Sequence, residues 1–179
     1  MKNQNGFTSG FSCGFTLIEL MVTLIVLTIL VGIAAPNLTD LYDAQRANAN
    51  IRTIQQTIQY GRNAAISYGV RVTTCPIKDN QCDDNWQNGL TVFTDSGEKN
   101  IIDSNDKILI QTAPFNNRDT VIYNRSSVRF QPDGLASATN GTLRYCPSSK
   151  TSPHSKAVIV NQAGRVRFSK DTNISCDNE

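Results

Sequence analysis

Gly14-Phe15-Thr16-Leu17-Ile18-Glu19-Leu20 opens an apolar run that continues to Ala35. The 21 residues from Phe15 to Ala35 reach roughly 31 Å as a helix rising about 1.5 Å per residue, enough to cross the hydrocarbon core of a bilayer. One acid, Glu19, lies near the start of this run. A charged side chain inside a membrane helix costs about 2.5–3.5 kcal/mol on insertion scales, so it calls for a partner. A simple single-pass anchor explains the length and leaves Glu19 unexplained. A helix that packs against others of its kind explains both, because the carboxylate can then meet a positive charge on a neighbour.

The residues before this run are polar, and Lys2 is their only charge. A secretory signal places its apolar stretch ahead of a small-residue cleavage site. Here the order is inverted: Cys13-Gly14 precedes the apolar stretch, so a cut there keeps the hydrophobic segment on the mature protein. At the other end, Pro36 removes a helical donor and marks either the membrane exit or a bend.

Beyond Pro36 the pattern turns amphipathic. Ala47, Ile51, Ile54, Ile58, Gly61, Ala65 and Tyr68 recur at steps of three and four, with Gln, Asn and Arg between them. This predicts a helix lying on a sheet, with the small Gly61 and Ala65 allowing close approach; a coiled-coil seam is the alternative. From Gly69 the helical period stops. Short β-branched or alternating runs follow at Val70–Cys75, Gly89–Thr94, Lys107–Gln111, Thr120–Tyr123, Ser127–Gln131, Thr142–Cys146, Ala157–Val160 and Arg165–Ser169, separated by turn signals such as Pro132-Asp133-Gly134 and Asn140-Gly141. The expected fold class is α+β, one long helix packed on an antiparallel β domain of two sheets. The expected division is a leader over 1–14, a membrane or filament-core helix over 15–36, an amphipathic helix over 37–68 and a β-rich domain over 69–179.

Composition narrows the function. The formal net charge of +2 is too small to point to nucleic acid, but residues 76–115 carry a net −4 and residues 116–179 a net +4. Of five cysteines, Cys13 precedes Gly14 and the other four allow three pairings; Cys75–Cys82 and Cys146–Cys176 are the favoured ones. Paired cysteines and a membrane segment together point to an oxidising compartment, and the spacings match no zinc pattern. His154 is the sole histidine, which leaves little room for a His-dependent triad or a multi-His metal site. Asp103-Ser104-Asn105-Asp106 has the outline of a calcium loop but lacks its Gly and distal Glu, and reads as a solvated turn. Asp79, Asp83 and Asp84 read as a wet loop held by Cys75 and Cys82. No cofactor is expected, and no enzyme.

Gly14 followed by Phe15-Thr16-Leu17-Ile18-Glu19-Leu20 resembles the processing signal of type IV pilins and pseudopilins. Trp86-Gln87-Asn88-Gly89, Val128-Arg129-Phe130-Gln131-Pro132-Asp133-Gly134, Leu143-Arg144-Tyr145-Cys146 and Val158 through Arg167 extend the likeness to nearly the whole chain, in the order of the GspH/FimT subgroup. The resemblance implies a prepilin peptidase that cuts between Gly14 and Phe15 and methylates the new amine of Phe15. It implies that Glu19 neutralises the amine of a neighbouring subunit, that Pro36 bends or loosens the helix in the fibre, and that other pilins and the inner membrane are the partners. The implied function is a minor pilin that initiates or caps a type IV pilus, or else an H-type pseudopilin of type II secretion. Alternation along the strands expects Val128, Phe130, Leu143, Tyr145, Val166 and Phe168 inward, and Arg129, Arg144, Arg165 and Arg167 outward. Gly164-Arg165-Val166-Arg167 resembles the GRxR element linked to DNA binding in FimT-type pilins, so these four arginines are the candidate DNA contacts; a solvated face, or docking to an acidic subunit, is the alternative.

Overall fold

The computed structural model describes residues 15–136 and 138–177, and of residues 35–37 the backbone only. The chain divides into two units at Asp40/Leu41, and helix α1, Leu17–Tyr68, contributes residues to both. In the first unit every described side chain from Phe15 to Ala34 is exposed. The Thr23 and Thr28 hydroxyls donate back to the carbonyls of Leu20 at 2.9 Å and Ile25 at 2.8 Å, so neither presents an unsatisfied donor to an apolar surrounding. The helix runs through position 36 without interruption; the bend or exit expected at Pro36 rests on a side chain outside the described residues.

In the second unit the helix buries Ala47, Ile51, Ile54, Thr57, Ile58, Gly61, Ala64 and Ala65, the three-and-four spacing of one apolar face. Tyr68, expected on that face, is 59% exposed. The reason is local: Gly69, with φ of 66°, donates to the Ala65 carbonyl at 3.0 Å and ends the helix in a left-handed cap, so Tyr68 stands past the sheet.

Two four-stranded antiparallel sheets complete the core. The first has the order β5-β4-β1-β7, from β1 (Val72–Cys75), β4 (Thr91–Thr94), β5 (Ile108–Gln111) and β7 (Val128–Phe130). The second has the order β10-β9-β8-β6, from β6 (Thr120–Tyr123), β8 (Gly141–Cys146), β9 (Lys156–Val160) and β10 (Val166–Phe168). Helix and sheets share one cluster in which Ile54, Ile58, Val72, Val92, Phe130, Leu143, Tyr145 and Val158 are buried. The coiled-coil alternative is therefore set aside within this unit, whose helical stripe is filled by its own strands. Sequence pattern missed the small hairpin β2 (Ile77–Lys78) and β3 (Gln81–Cys82) and the turn of 3-10 helix at Trp86–Asn88, all too short to show a period.

The disulfides join Cys75 to Cys82 and Cys146 to Cys176, with Cα separations of 5.6 and 6.2 Å. The first closes the β2–β3 hairpin that carries Asp79. The 103–106 turn is more tightly tied than a solvated loop: Asp106 accepts from the Ser96 amide and the Ser96 hydroxyl, both at 2.9 Å. Arg71 donates to the carbonyls of Asp95, Ser96 and Gly97 at 3.0–3.1 Å, which fixes the start of the same excursion.

Gly61 sets the closest approach of helix to sheet. A Cβ there would stand 2.8 Å from Thr74 Oγ1 and 3.4 Å from Val92 Cγ1. Gly61→Leu should therefore destabilise the protein by about 1–3 kcal/mol through overpacking, seen as a lower denaturant midpoint at unchanged slope.

Candidate functional site

Three places hold the residues that chemistry or assembly would use. The first is the start of α1. The Thr16 hydroxyl accepts from the Glu19 amide at 3.3 Å, the capping arrangement of a Thr three residues ahead of a Glu. Glu19 thus sits in the first helical turn, where the helix dipole favours a negative charge. Its side chain is exposed and available to a neighbour. Gly14, on the other side of the expected cut, lies outside the described residues, as does Cys13.

The second is the β9–β10 hairpin. Residues Asn161 to Gly164 form a tight turn: the Gly164 amide donates to the Asn161 carbonyl at 2.9 Å, and the Arg165 amide to Asn161 Oδ1 at 2.8 Å. Gly164 has φ of 74°, and a Cβ there would run into the Gly134 carbonyl oxygen. Arg62 on the helix donates to that carbonyl at 3.1 Å and to the Ala163 carbonyl at 3.5 Å. The glycine of the motif is thus needed for its conformation and for close packing on the 132–136 loop. Arg165 and Arg167 follow on the exposed side of β10, and among the described residues neither guanidinium has a hydrogen-bond or ion-pair partner.

The structure does not bring all four candidate arginines onto one open face. Arg129 belongs to the first sheet, opposite Thr73; it is half-buried, and its Nε is enclosed without a protein partner. Arg144 does share a face with Arg167, since Arg167 pairs with Ile159, and Ile159 with Thr142. That face is covered near Arg144 by the last described residues. Arg144 Nη1 donates to the Ser175 carbonyl at 3.4 Å, Cys176 is tied to Cys146 on the same strand, and Asp171, Ser175 and Asp177 line the groove over it. Arg144 is therefore half-buried instead of free in solvent. Phe168, expected inward beside Val166, is 46% exposed because β10 is an end strand and the core does not extend past Val166.

The third place was not found from sequence. Asp119, whose side chain is fully buried, accepts from Arg46 Nε at 3.0 Å and Nη2 at 2.7 Å. It also accepts from the Ser148 amide at 3.1 Å and from the Tyr145 hydroxyl, while Asn50 Nδ2 donates to the same hydroxyl at 2.7 Å. Burial pulls the Arg46 guanidinium down in pKa, and the hydrogen bonds and charge of Asp119 more than reverse that. Burial, then the bond to Asp119, pushes the Tyr145 hydroxyl up to about 12. Burial likewise raises Tyr123, against the pull of Arg125. A fork-to-carboxylate pair between Arg46 and Asp119 leaves no period or motif in the sequence, since the partners are 73 residues apart. Among the described residues no group of three or more His, Cys, Asp or Glu could hold a metal ion.

Two family models match the chain. The one described as "Type II transport protein GspH" matches residues 50–164, and the "Prokaryotic N-terminal methylation motif" matches residues 11–35. No curated protein sequence matches it. Among solved structures, two crystal forms of the type IV minor pilin FimU from Pseudomonas aeruginosa PAO1 are similar in fold. One has a TM-score of 0.59 at 19% identity, over 74% of this chain and 96% of that one. The other has a TM-score of 0.57 at 20% identity, over 72% and 98%.

The buried tyrosines make stability depend on alkaline pH. The folded state holds Tyr145 neutral to about 12 against an ordinary 10.0. A raised pKa contributes stability that is complete below about pH 10 and is lost as pH rises through about 12. Unfolding midpoints should fall over that window, and absorbance titration should show late-ionising tyrosine. In Tyr145→Phe the dependence should be shallower.

Proposed function

We propose, since this chain belongs to the GspH family, that it is a minor pilin whose exposed apolar helix is laid against other subunits of a type IV pilus, which it helps to initiate or cap. The methylation motif and the family domain support a filament subunit held at the inner membrane. The observation that carries the reading is the position of Glu19: a carboxylate in the first turn of an apolar helical stretch whose described side chains, from Phe15 to Ala34, are all exposed, on a chain of this family. In this reading the peptidase cuts after Gly14, Phe15 bears the methylated amine, residues 15–36 occupy the membrane or the filament core, and the amphipathic helix (37–68) and β domain (69–179) lie in the periplasm. Glu19 meets the amine of a neighbour. The two disulfides agree with an oxidising compartment. A second reading, a pseudopilin of type II secretion, is favoured by the family's own description; a deletion strain scored side by side for twitching, transformation and secretion separates the two. Glu19→Ala should leave the chain in the membrane but absent from sheared pili or pseudopili. Normal incorporation would overturn the assembly role.

Within the pilus reading, the partnerless Arg165 and Arg167 support a contact to DNA phosphates during uptake. Arg144 and Arg129, as placed, contribute less. Replacing both exposed arginines with Gln should weaken duplex DNA binding and lower the slope of log K against log salt by up to about 0.9 per lost phosphate contact. Unchanged binding would exclude this site.

A further inference from the structure

Asn37-Leu38-Thr39, Asn124-Arg125-Ser126, Asn140-Gly141-Thr142 and Asn173-Ile174-Ser175 each have the Asn-x-Ser/Thr spacing of an N-glycosylation acceptor. The spacing alone selects nothing, since a transferase must also reach the asparagine amide and reshape the chain around it. Asn37 lies inside helix α1, with its side chain outside the described residues. Asn124 commits its side-chain oxygen to the Thr142 amide at 3.1 Å. The same bond holds the third residue of Asn140-Gly141-Thr142, and Thr142 is fixed in β8 opposite Ile159, so reshaping that tripeptide would break the second sheet. Asn173-Ile174-Ser175 differs. It lies in irregular chain between β10 and Cys176. The Ser169 amide donates to the Ala157 carbonyl and the Cys176 amide to the Lys150 carbonyl, both at 2.8 Å. Between these ties no amide from Lys170 to Ser175 bonds a backbone carbonyl among the described residues. Asn173 is exposed, and among the described residues its side chain has no hydrogen-bond partner. Asp171 accepts from the Asn173 backbone amide at 3.0 Å, an Asx turn that already bends the chain just ahead of the acceptor. The Ser175 hydroxyl donates to Asp177 Oδ2 at 2.8 Å and accepts from the Asp177 amide at 3.0 Å, both local and exposed bonds.

We propose that the Asn173 side-chain amide is the acceptor of an N-linked oligosaccharide, transferred from a polyprenyl pyrophosphate donor by an oligosaccharyltransferase. The proposal rests on the periplasmic placement of the β domain given above. In the transfer, Asn173 Nδ2 bonds to C1 of the first sugar. The bond from C1 to the pyrophosphate oxygen breaks, the polyprenyl pyrophosphate leaves with that electron pair, and one amide proton passes to a base of the transferase. Nothing is oxidised or reduced. Presenting the tripeptide requires lifting residues 170–175, which gives up the 3.4 Å bond from Arg144 to the Ser175 carbonyl and the two bonds between Ser175 and Asp177. No strand pairing is lost, and Cys146–Cys176 keeps the far end tied. The folded chain is therefore a competent acceptor, and an exposed loop accommodates a bulky, solubilising group.

The test is mass spectrometry of the full-length chain taken from the membranes of its own bacterium. The peptide 171–179 should carry an added mass that fragments to sugar ions and is attached at Asn173. Asn173→Gln and Ser175→Ala should each remove it, and Ser175→Thr should keep it. Non-reducing peptide mapping of Cys75–Cys82 and Cys146–Cys176 in every variant shows that the chain is folded and has reached an oxidising compartment. An unmodified Asn173 in a chain with both disulfides formed overturns the glycan and leaves the periplasmic placement standing. An unmodified Asn173 in a chain with all four cysteines reduced overturns both. Sugar found only at Asn124, Asn140 or a hydroxyl, or sugar that persists in Ser175→Ala, also overturns the proposal.

Discussion

One continuous helix has to satisfy two solvents, and the remainder of the structure follows from that. Between Glu19 and Asp40 no charged residue interrupts the sequence, and the apolar side chains point in every direction, which only a lipid or a bundle of similar helices can accommodate. From Ala47 the same helix narrows to a single apolar stripe. Its isoleucines, Ile51, Ile54 and Ile58, are almost fully buried, each contributing about 1.5–3 kcal/mol. The sheets exist to cover that stripe. Their inner faces alternate accordingly, and the helix ends where the stripe ends, at a glycine cap.

Where the stripe begins, polar bonding takes over from apolar packing. Arg46 is bonded to Asp119, which also holds Ser148 and Tyr145, and Tyr145 is held by Asn50. Burying such a pair is costly, and it repays the desolvation only when the remaining donors and acceptors are matched. Here the carboxylate is shared among three residues, while the buried Nη1 of Arg46 has no hydrogen-bond partner among the described residues. Removing Arg46 strands the buried Asp119 carboxylate, at a cost of about 3–5 kcal/mol, whereas Arg46 without Asp119 still has Asp43 at 2.9 Å.

The parts of this arrangement with a period were legible in the sequence. The stripe from Ala47 to Ala65 and the eight longer strands have repeats of 3.6 and 2, and the single apolar stripe followed by half-buried strands gave the packing of one on the other. Features set by termination or by long-range pairing were not legible. Tyr68 obeys the helical period and is exposed because Gly69 stops the helix. Phe168 obeys the strand period and is exposed because β10 is an end strand. Arg144 points outward as alternation requires, yet the returning 169–177 segment, tied down by the Cys146–Cys176 bond, covers it; the pairing was expected, but the path that the segment takes over the strand left no local signal. The Arg46–Asp119 pair, with its partners far apart, had no local signal at all.

Arginine content alone is a poor guide to what the basic half of the domain binds. Arg46 serves a buried carboxylate, Arg71 donates to three carbonyls of one loop, Arg62 stitches the helix to two turns, and Arg144 reaches a carbonyl of the covering segment. The planar, five-donor fork suits such multiple bonding, and a lysine would do it less well. These side chains have already lost their rotational freedom to the fold and cannot exchange their partners for phosphate without a penalty. Arg165 and Arg167 are different. They stand on a rigid hairpin whose Gly164 is packed against Gly134, they are exposed, and no described protein group uses them. An acidic group that approached them would find these two available without first breaking a bond inside the protein.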